Sequence, residues 1–296
     1  MKIAIAGSSG LIGTQLVSSL RADGHEVLRL VRRPATAPME VTWNPEDHTA
    51  DMEKLAGIDA LVNLAGAGVG DHRWTANYKK TILDSRVNST ALCADIAVKL
   101  RPHVFISASA IGWYGDTADR EVDESTPAGQ GFLAEVVQAW EAAAQPARDA
   151  GIRVVHPRTG LVISSLGGAW GKLLPIFKLG LGGKLGSGRQ YWSYISMADE
   201  VAALKFLIAN DSISGPVNLT APIPATNSEI TKSMGRVLRR PTLFAVPAFI
   251  LKTVLGEFSQ EILGSARVLP TVLTQRGYRF VHPTLDTSMQ TLTEGA

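Results

Sequence analysis

Short apolar runs alternate with longer amphipathic stretches along the first 160 residues of the chain. The run Ile3–Ala6 predicts a buried strand, and the spacing of apolar residues in Leu11–Ala22 predicts a helix that ends at Gly24. Later runs predict strands at 26–31, 41–43, 60–64, 104–107 and 153–155, and helices at 75–100 and 131–149. Because strands that alternate with helices form right-handed crossovers, the pattern predicts an α/β fold with a doubly wound parallel sheet.

The pattern changes after Gly160. Residues 164–190 are rich in glycine and contain one short helical run at 172–179, and a helix is predicted at 199–209. Pro216–Thr220 is predicted to be one more strand of the first sheet, whereas the chain from Asn227 mixes helices with proline-containing loops. We therefore predict a first domain from residues 1–163 plus 191–220. A smaller mixed domain, which would bind substrate and form a lid, is predicted from residues 164–190 plus 221–296.

The loop between the first strand and the first helix carries three spaced glycines. Gly7 permits a tight turn, Gly10 lets backbone N–H groups approach a pyrophosphate, and Gly13 lets the helix pack closely on the strand. The helix N-terminus adds unpaired N–H donors and a partial positive charge. In this strand–loop–helix context the pattern predicts a Rossmann-type dinucleotide-binding domain. The predicted cofactor loop consists of Gly7, Ser8, Ser9, Gly10, Leu11, Ile12 and Gly13.

Two arginines follow the second predicted strand, where the residue type distinguishes the two nicotinamide cofactors. An acidic residue at this place would accept hydrogen bonds from the ribose hydroxyl of NAD. The chain has Arg32 and Arg33 instead, and a planar guanidinium matches the 2′-phosphate of NADP. We therefore predict NADP(H) as the cofactor in preference to NAD. The alternative is a solvated pair of charges at a strand end.

Composition narrows the range of partners. The 296 residues carry 29 Lys and Arg against 27 Asp and Glu, and this net charge of +2 gives no case for a nucleic-acid partner. The single cysteine and six scattered histidines predict no metal site and fit a reducing compartment. The apolar stretch Leu243–Leu255 is interrupted by Pro247 and Lys252 and is shorter than the roughly 20 residues that span a bilayer. We expect a cytoplasmic protein with a small-molecule substrate and no membrane partner.

Several motifs together resemble a known family. The glycine loop, Asn63–Gly66, Ser107–Ser109 and Tyr114–Asp116 resemble the extended short-chain dehydrogenases/reductases, the class of the nucleotide-sugar epimerases and dehydratases. The chain is more narrowly similar to an atypical epimerase-like subgroup with no settled activity, whose older labels read nucleotide-sugar epimerase or cell-division inhibitor. The stretches that carry this similarity are 63–66, 73–75, 84–88, 106–116, 158–160, 181–194, 215–219, 267–270 and 277–278.

The resemblance implies a set of site residues. It places Asn63–Gly66 beside the adenine ribose and the nicotinamide, Asn88 on a helix that braces the active site, and Ser109 against the reacting carbonyl or hydroxyl. The alternatives are a helix-surface role for Asn88 and a strand-end cap for Ser109. The implied cofactor-binding residues are Asn63, Leu64, Ala65, Gly66, Asn88, Ser107, Ala108 and Arg158.

The chain departs from the family pattern at the catalytic pair. Family chemistry uses Tyr-x-x-x-Lys on the helix after Ser109, where the lysine lowers the pKa of the tyrosine so that the phenol can transfer a proton. The corresponding positions here are Phe132 and Val136, which can neither transfer a proton nor carry a charge. Tyr114, on the loop after Ser109, is a candidate replacement for the tyrosine. The alternative is that Trp113 and Tyr114 form an aromatic wall of the pocket.

The substrate side also departs from the family. Nucleotide-sugar enzymes carry a diphosphate-binding arginine where this chain has Trp192, although Arg189 lies nearby and an indole can stack on a ring. Arg73, Trp74 and Lys79 are predicted to border the same crevice from the loop and helix after the fourth parallel strand.

Two functions are consistent with these residues. The first is an NADP(H)-dependent oxidoreductase or epimerase-like enzyme that acts on a small polar molecule beneath a glycine-rich lid, Ser164–Gly188. The second is a non-catalytic protein that binds NADP(H) as a regulatory or redox signal, with a protein partner that no residue identifies. The lid favours the enzyme.

Overall fold

The computed structural model describes residues 1–293, in which a nine-stranded, mostly parallel sheet forms the centre. In chain order the strands are β1 Lys2–Ala6, β2 Glu26–Val31, β3 Glu40–Asn44, β4 Thr49–Ala50, β5 Ala60–Asn63, β6 Val104–Ser107, β7 Ser109–Ala110, β8 Glu121–Val122, β9 Val154–Thr159, β10 Leu161–Ile163, β11 Gly183–Leu185, β12 Tyr191–Trp192, β13 Tyr194–Ser196, β14 Gly215–Leu219, β15 Ala225–Thr226, β16 Phe244–Val246 and β17 Arg267–Val268. The sheet order is β14-β9-β6-β5-β1-β2-β3-β4, and β7 also pairs with β9.

Helices cover both faces of this sheet. In chain order they are α1 Leu11–Ala22, α2 Met52–Leu55, α3 Ala76–Leu100, α4 Phe132–Ala142, α5 Gln145–Asp149, α6 Gly168–Lys178, α7 Met197–Ala209, α8 Asn227–Leu238, α9 Ala248–Leu255, α10 Ser259–Leu263, α11 Thr271–Gln275 and α12 Leu285–Gln290, with 3₁₀ turns at Ile111–Tyr114 and Gly256–Phe258. The predicted α/β fold with a doubly wound parallel sheet is confirmed.

The predicted elements differ from the observed ones at a few boundaries. The helix expected at 131–149 is two helices, because Pro146 begins α5 and a proline lacks the N–H that would continue α4. The helix expected at 172–179 begins at Gly168, and the strand expected at 153–155 extends to Thr159. Pro216–Thr220 was expected to join the first sheet, and β14 does so as its outermost strand beside β9.

Alternating side chains divide the buried core between the two faces of the sheet. Along β1, Ile3 and Ile5 pack on the face that carries α1 and α7, whereas Ala4 and Ala6 pack on the face that carries α3. Because Ala4 and Ala6 are small, the long helix α3 can pack close to the sheet on this second face. Both faces are therefore buried, as a parallel sheet requires.

The C-terminal chain returns to the first core at the start of α7. Asp199 is buried there, and its carboxylate accepts hydrogen bonds from the Ser196 hydroxyl at 2.8 Å and from the backbone N–H groups of Val281 and His282 at 2.7 and 2.9 Å. The Tyr278 hydroxyl adds a fourth at 3.1 Å. This carboxylate therefore ties residues 278–282 to the central sheet.

A separate apolar cluster lies beside the sheet and includes Trp170, Phe177, Ile230, Met234 and Met289. It draws on both segments of the predicted smaller domain. The division into two domains stays a prediction, and its last residues, 294–296, lie outside the described chain. Within residues 1–293 no helix has the length and apolar content to cross a membrane.

Candidate functional site

The glycine loop sits where β1 meets α1, and its glycines are required by close packing. Gly7 has φ +75°, and a Cβ there would lie 2.6 Å from the Leu64 carbonyl carbon. A Cβ at Gly13 would overlap the Gly7 carbonyl oxygen. Gly10 is the N-cap residue of α1, and in the described chain no side chain makes a capping hydrogen bond there. The first N–H groups of this helix are therefore available to an anion. The loop therefore fits a pyrophosphate.

The segment that starts α6 lies directly beside this loop. A Cβ at Gly168 would be 3.2 Å from the Leu11 side chain, and one at Gly167 would be 3.6 Å from it. The glycine-rich segment that was expected to form a lid therefore contacts the first residue of α1.

The two arginines after β2 have different surroundings. Arg33 binds Glu40 through both ends of its guanidinium fork, with Nη1 2.8 Å from Oε2 and Nη2 2.6 Å from Oε1. Hydrogen bonds from Arg33 and from the Thr36 backbone lower the pKa of the Glu40 carboxyl to about 2. Arg32 is exposed, and its side chain has no hydrogen-bond or ion-pair partner within residues 1–293. Only Arg32 of this pair is therefore uncommitted.

A third arginine, which the sequence analysis missed, stands nearer the loop. Arg29 Nε donates to the Ser8 hydroxyl at 3.3 Å, and Arg29 Nη1 lies 3.9 Å from Glu40 Oε1. A charged residue between Leu28 and Leu30, within the apolar run Val27–Val31, is the sequence signal that could have identified it.

The carboxyl ends of β5 and β6 lie side by side next to the glycine loop. Asn63 Nδ2 donates to the Thr90 hydroxyl at 3.0 Å, and Asn63 Oδ1 accepts from the Ala65 N–H at 3.0 Å. The Ala108 N–H donates to the Asn63 carbonyl at 2.9 Å. The Asn63 side chain therefore shapes this edge, which leaves the backbone of Leu64–Gly66 to face the crevice.

Two other predicted residues near this edge make no side-chain hydrogen bond in the described chain. The Ser107 hydroxyl is buried with no partner in the described chain, and Asn88 on α3 is half-buried with no side-chain hydrogen bond there. Arg86, which was not predicted, donates to the Ala67 carbonyl at 2.9 Å, and burial lowers the pKa of its guanidinium to about 10. Arg86 therefore supports the loop that follows β5.

The predicted catalytic residues belong to one buried polar network. Ser109 donates to Glu141 Oε1 at 2.6 Å, and Arg158 binds the same carboxylate through Nε at 2.8 Å and Nη2 at 3.0 Å. Arg158 Nη1 donates to the Tyr114 hydroxyl at 3.2 Å, and Tyr114 donates to Asn218 Oδ1 at 2.8 Å. The network therefore joins β7, α4, β9, the 3₁₀ turn and β14.

This network holds Tyr114 in its neutral form. Tyr114 is 2% exposed, and burial raises the pKa of its phenol to about 12 despite the charge of Arg158. Arg158 is equally buried and stacks 3.9 Å from the Trp113 ring. The predicted roles of Ser109 and Tyr114 in proton transfer, and of Arg158 in cofactor binding, stay predictions. The geometry favours a structural role for all three.

Apolar side chains occupy the helix face where the family has its catalytic pair. Phe132 and Val136 pack with Trp74 and Ile82, and Leu133 and Val137 one residue further along approach Gly112 in the turn after Ser109. In either register the helix offers no ionisable group to the crevice.

The predicted substrate-side residues after β5 contact the C-terminal chain. The Trp74 indole donates to the Val69 carbonyl at 2.7 Å and packs against Phe132 and Phe258. Lys79 Nζ binds Glu257 Oε2 at 2.8 Å and lies 4.6 Å from the Phe132 ring centre. Arg73 is exposed beside Gly256. The turn Gly256–Phe258 therefore closes one side of the crevice.

Two other predicted substrate-side residues lie further along the chain. Trp192 is 8% exposed, and its indole donates to the Ile262 carbonyl at 3.2 Å, so the ring is part of an apolar core. Arg189 is exposed, with no side-chain partner in the described residues. Their contact with a substrate stays a prediction.

Two acidic residues lie where the C-terminal chain meets the loop after Tyr114, and the sequence analysis named only Asp116. Asp116 Oδ1 accepts from the backbone N–H groups of Ala118 and Ser265. The Glu261 side chain is exposed on α10, where partial desolvation and the charge of Asp116 raise the pKa of its carboxyl.

A doubly wound sheet with this glycine loop, the serine after β6 and no Tyr-Lys pair defines an atypical extended short-chain dehydrogenase/reductase of the epimerase-like type. The model described as the NAD dependent epimerase/dehydratase family matches residues 3–219, and one described as a domain of unknown function (DUF1731) matches residues 246–292. The chain belongs to the NAD dependent epimerase/dehydratase family, which binds NAD(P).

Relatives and solved structures support this assignment. An epimerase family protein of Mycobacterium leprae is 45% identical over 284 residues, which cover 96% of this chain and 92% of that protein. The chloroplastic SDR39U1 homolog of Arabidopsis thaliana is 35% identical over 95% of this chain and 83% of its own length. The crystal structure of human epimerase family protein SDR39U1 with NADPH matches with a TM-score of 0.91 at 31% identity, over 100% of both chains.

Proposed function

We propose that this chain is an NADP(H)-dependent, epimerase-like oxidoreductase that acts on a small molecule in the crevice above β5 and β6. The observation that carries the proposal is the uncommitted Arg32 guanidinium near a glycine loop that fits a pyrophosphate. The NADPH in the human relative supports the same cofactor. The apolar Phe132 and Val136 at the catalytic-pair positions are the observation behind the non-catalytic alternative, whereas the glycine-rich segment beside the cofactor loop favours the enzyme.

The charges after β2 favour the phosphorylated cofactor. Two arginines lie near the Glu40 carboxylate: Arg33 binds both of its oxygens, and Arg29 Nη1 lies 3.9 Å from Oε1. Arg32 is therefore free to bind a 2′-phosphate, with Arg29 beside Ser8 adding positive charge. NAD would need an acidic residue that accepts hydrogen bonds from the ribose hydroxyls. Glu40 is not free to do so, because Arg33 binds both of its carboxylate oxygens.

The reaction needs a group that passes a proton to or from the substrate. NADPH, when bound, supplies the hydride. The hydroxyls of Ser109 and Tyr114 are engaged within the buried network. Glu261, an exposed carboxyl on α10 whose pKa is raised, is the candidate acid that the screen below tests, and Lys79 and Arg73 are the candidates to bind polar groups of a substrate.

Cofactor titrations test the first part of the proposal. We expect the wild-type protein to bind NADPH more tightly than NADH, and Arg32→Ala to weaken NADPH binding roughly ten- to a hundredfold without changing NADH binding. Arg279→Ala, an exposed arginine at the other end of the chain, is the matched control. Equal affinity of the wild-type protein for both cofactors would contradict the proposal.

A screen of carbonyl compounds for NADPH oxidation tests the second part. Turnover should fall in Glu261→Gln, because the amide cannot transfer the proton that the carboxyl would supply. Tyr114→Phe serves as the comparison, because its hydroxyl is buried. A protein that binds NADPH but turns over nothing in a broad panel would instead favour the regulatory binding protein.

A further inference from the structure

A group of large apolar side chains is exposed on the side of the molecule formed by the end of α6, the β11–β16 pair and α9. The most exposed are Leu243 at 87%, Leu179 at 74%, Phe249 at 69% and Val254 at 65%. The complete set is Ile176, Leu179, Leu181, Leu243, Phe244, Phe249, Ile250 and Val254. Monomeric proteins rarely expose so many neighbouring apolar side chains unless the surface binds something.

The two chain segments that supply these side chains are in direct contact. Gly183–Leu185 pairs in parallel with Phe244–Val246, and Arg240 Nε donates to the Lys178 carbonyl at 2.9 Å. Helix α9 buries only Leu251, and Ile250 and Val254, four residues apart, share its exposed side. A Cβ added at Gly186, directly after β11, would lie 4.0 Å from Ala248 of α9, so these segments adjoin one another and we treat their exposed side chains as one surface.

Positive charge surrounds this surface. Residues 164–190 carry four Lys and Arg, residues 230–256 carry five, and neither segment contains an Asp or a Glu. The remaining chain has 20 Lys and Arg, which is 29 less nine, against 27 Asp and Glu. The net charge of +2 thus hides a strongly basic region on an otherwise acidic molecule.

Most of the cations near the apolar side chains are unpaired. Arg236 binds Asp286, and Lys172 lies 3.7 Å from Asp71. No carboxylate of residues 1–293 pairs with the other seven of the nine. Five of these seven, together with the apolar set, form the surface that we call the basic apolar face: Lys178, Lys184, Arg239, Arg240 and Lys252.

We propose that the basic apolar face docks on an anionic lipid surface. Exposed Leu, Ile, Phe and Val side chains would enter the boundary between headgroups and acyl chains, and the surrounding cations would contact the anionic headgroups. Helix α9 has eight residues, so it would lie in the interface rather than span the bilayer. The sequence analysis predicted no membrane partner because the total charge and the short apolar stretch gave no sign of this arrangement.

Charge also argues against the other occupants. A second copy bound by the same face across a two-fold axis would bring five unpaired cations against five. A nucleic acid would use the cations, but its phosphates would gain nothing from the exposed aliphatic side chains. A lipid surface uses both features of the face.

Vesicle sedimentation with the full chain tests the proposal. We expect binding to phosphatidylcholine vesicles that contain about one-third phosphatidylglycerol, little binding to pure phosphatidylcholine, and weaker binding in about 0.5 M than in about 0.1 M salt. Lys178→Glu with Lys252→Glu, and separately Phe249→Ser with Val254→Ser, should each weaken binding about tenfold or more. Lys99→Glu with Arg279→Glu changes the charge equally elsewhere and should have little effect. The circular dichroism spectrum and thermal unfolding of every variant report whether it is folded.

Each contrary result overturns the proposal. Absence of binding to the anionic vesicles does so directly, and binding that neither face variant weakens shows that another surface is responsible. A wild-type dimer that Phe249→Ser with Val254→Ser dissociates, without vesicle binding, would assign the face to a second copy. Binding of a duplex oligonucleotide that only the charge variant weakens, again without vesicle binding, would assign it to nucleic acid. None of these outcomes depends on whether the chain is an enzyme.

Discussion

The Ser109 hydroxyl donates a hydrogen bond of 2.6 Å to Glu141 Oε1, and both side chains are buried. The serine stands where its family places the residue that contacts the reacting group, but here its proton points to a carboxylate. Arg158 binds both oxygens of the same carboxylate. Glu141 is therefore the centre of the network, because it balances the charge of the buried Arg158 guanidinium and fixes the serine.

Removal of the Glu141 charge should destabilise the fold strongly. Glu141→Gln leaves the buried Arg158 guanidinium without its counter-ion, and we expect unfolding free energy to fall by about 3–5 kcal/mol. Urea denaturation followed by circular dichroism measures the change. Glu135→Gln, on the exposed side of the same helix, is the control and should cost less than about 1 kcal/mol. Equal effects of the two substitutions would show that the buried pair contributes nothing to stability.

Tyr114→Phe should affect stability rather than cofactor binding. The substitution leaves Asn218 Oδ1 and Arg158 Nη1 without the hydroxyl that they share, and we expect a loss of about 1–3 kcal/mol. Thermal unfolding measures the loss and calorimetric NADPH titration the affinity. Tyr191→Phe, whose hydroxyl makes no hydrogen bond in the described chain, should remain within about 0.5 kcal/mol of wild type. A stable Tyr114→Phe protein that loses NADPH binding would contradict this assignment.

Glu200 should make the protein less stable as pH rises. Its carboxyl is fully buried, only Oε1 has a partner, the Thr159 hydroxyl at 2.8 Å, and burial raises its pKa to about 8. The unfolded carboxyl titrates near 4.5, so the unfolded state binds fewer protons between these values. Below pH 4.5 the Glu200 carboxyl is protonated in both the folded and the unfolded state, and its ionisation costs the fold nothing. As pH rises to 8 the free energy of unfolding falls by about 3–5 kcal/mol, because only the unfolded state ionises freely.

The matched variant isolates this effect. Glu200→Gln keeps the shape and removes the titration, so the difference in unfolding free energy between variant and wild type should grow in favour of the variant as pH rises. Denaturant unfolding at pH 5, 6, 7 and 8 measures it. Parallel pH profiles of the two proteins would mean that Glu200 keeps an ordinary pKa.

Gly13→Ala should weaken cofactor binding. A Cβ at this position overlaps the Gly7 carbonyl oxygen, so the loop must move away from the helix that presents its N–H groups to the pyrophosphate. We expect NADPH affinity to fall at least about tenfold. Gly171→Ala is the control, because nothing lies within 4 Å of a Cβ there. Unchanged affinity in Gly13→Ala would show that the loop tolerates the shift.

The local pattern of the chain predicted the sheet and its helices well. The bounds Leu11–Ala22 and Glu26–Val31 are the observed ones, because apolar periodicity and a terminating glycine are properties of neighbouring residues. The strand–loop–helix context of the glycines likewise predicted a tightly packed turn, and Gly7 does pack against Leu64.

The partners of polar side chains could not be predicted in this way. Tyr114 and Asn218 are 104 residues apart, and no periodicity indicates that they meet. Arg33 and Arg32 look alike in the sequence, but Glu40 neutralises only the first of them. The basic apolar face was missed for a related reason, since it arises only when two distant segments pair at β11 and β16.

The hydrogen bonds that Asp199 accepts from residues 278–282 have a practical consequence for expression of shortened proteins. A fragment that stops at Leu219, after the last strand of the central sheet, would leave this buried carboxylate without Tyr278, Val281 and His282, and would uncover the apolar surface on which Leu273 packs. We therefore expect residues 1–219 not to fold alone, because residues 273–282 complete the packing and the hydrogen bonds of the central sheet.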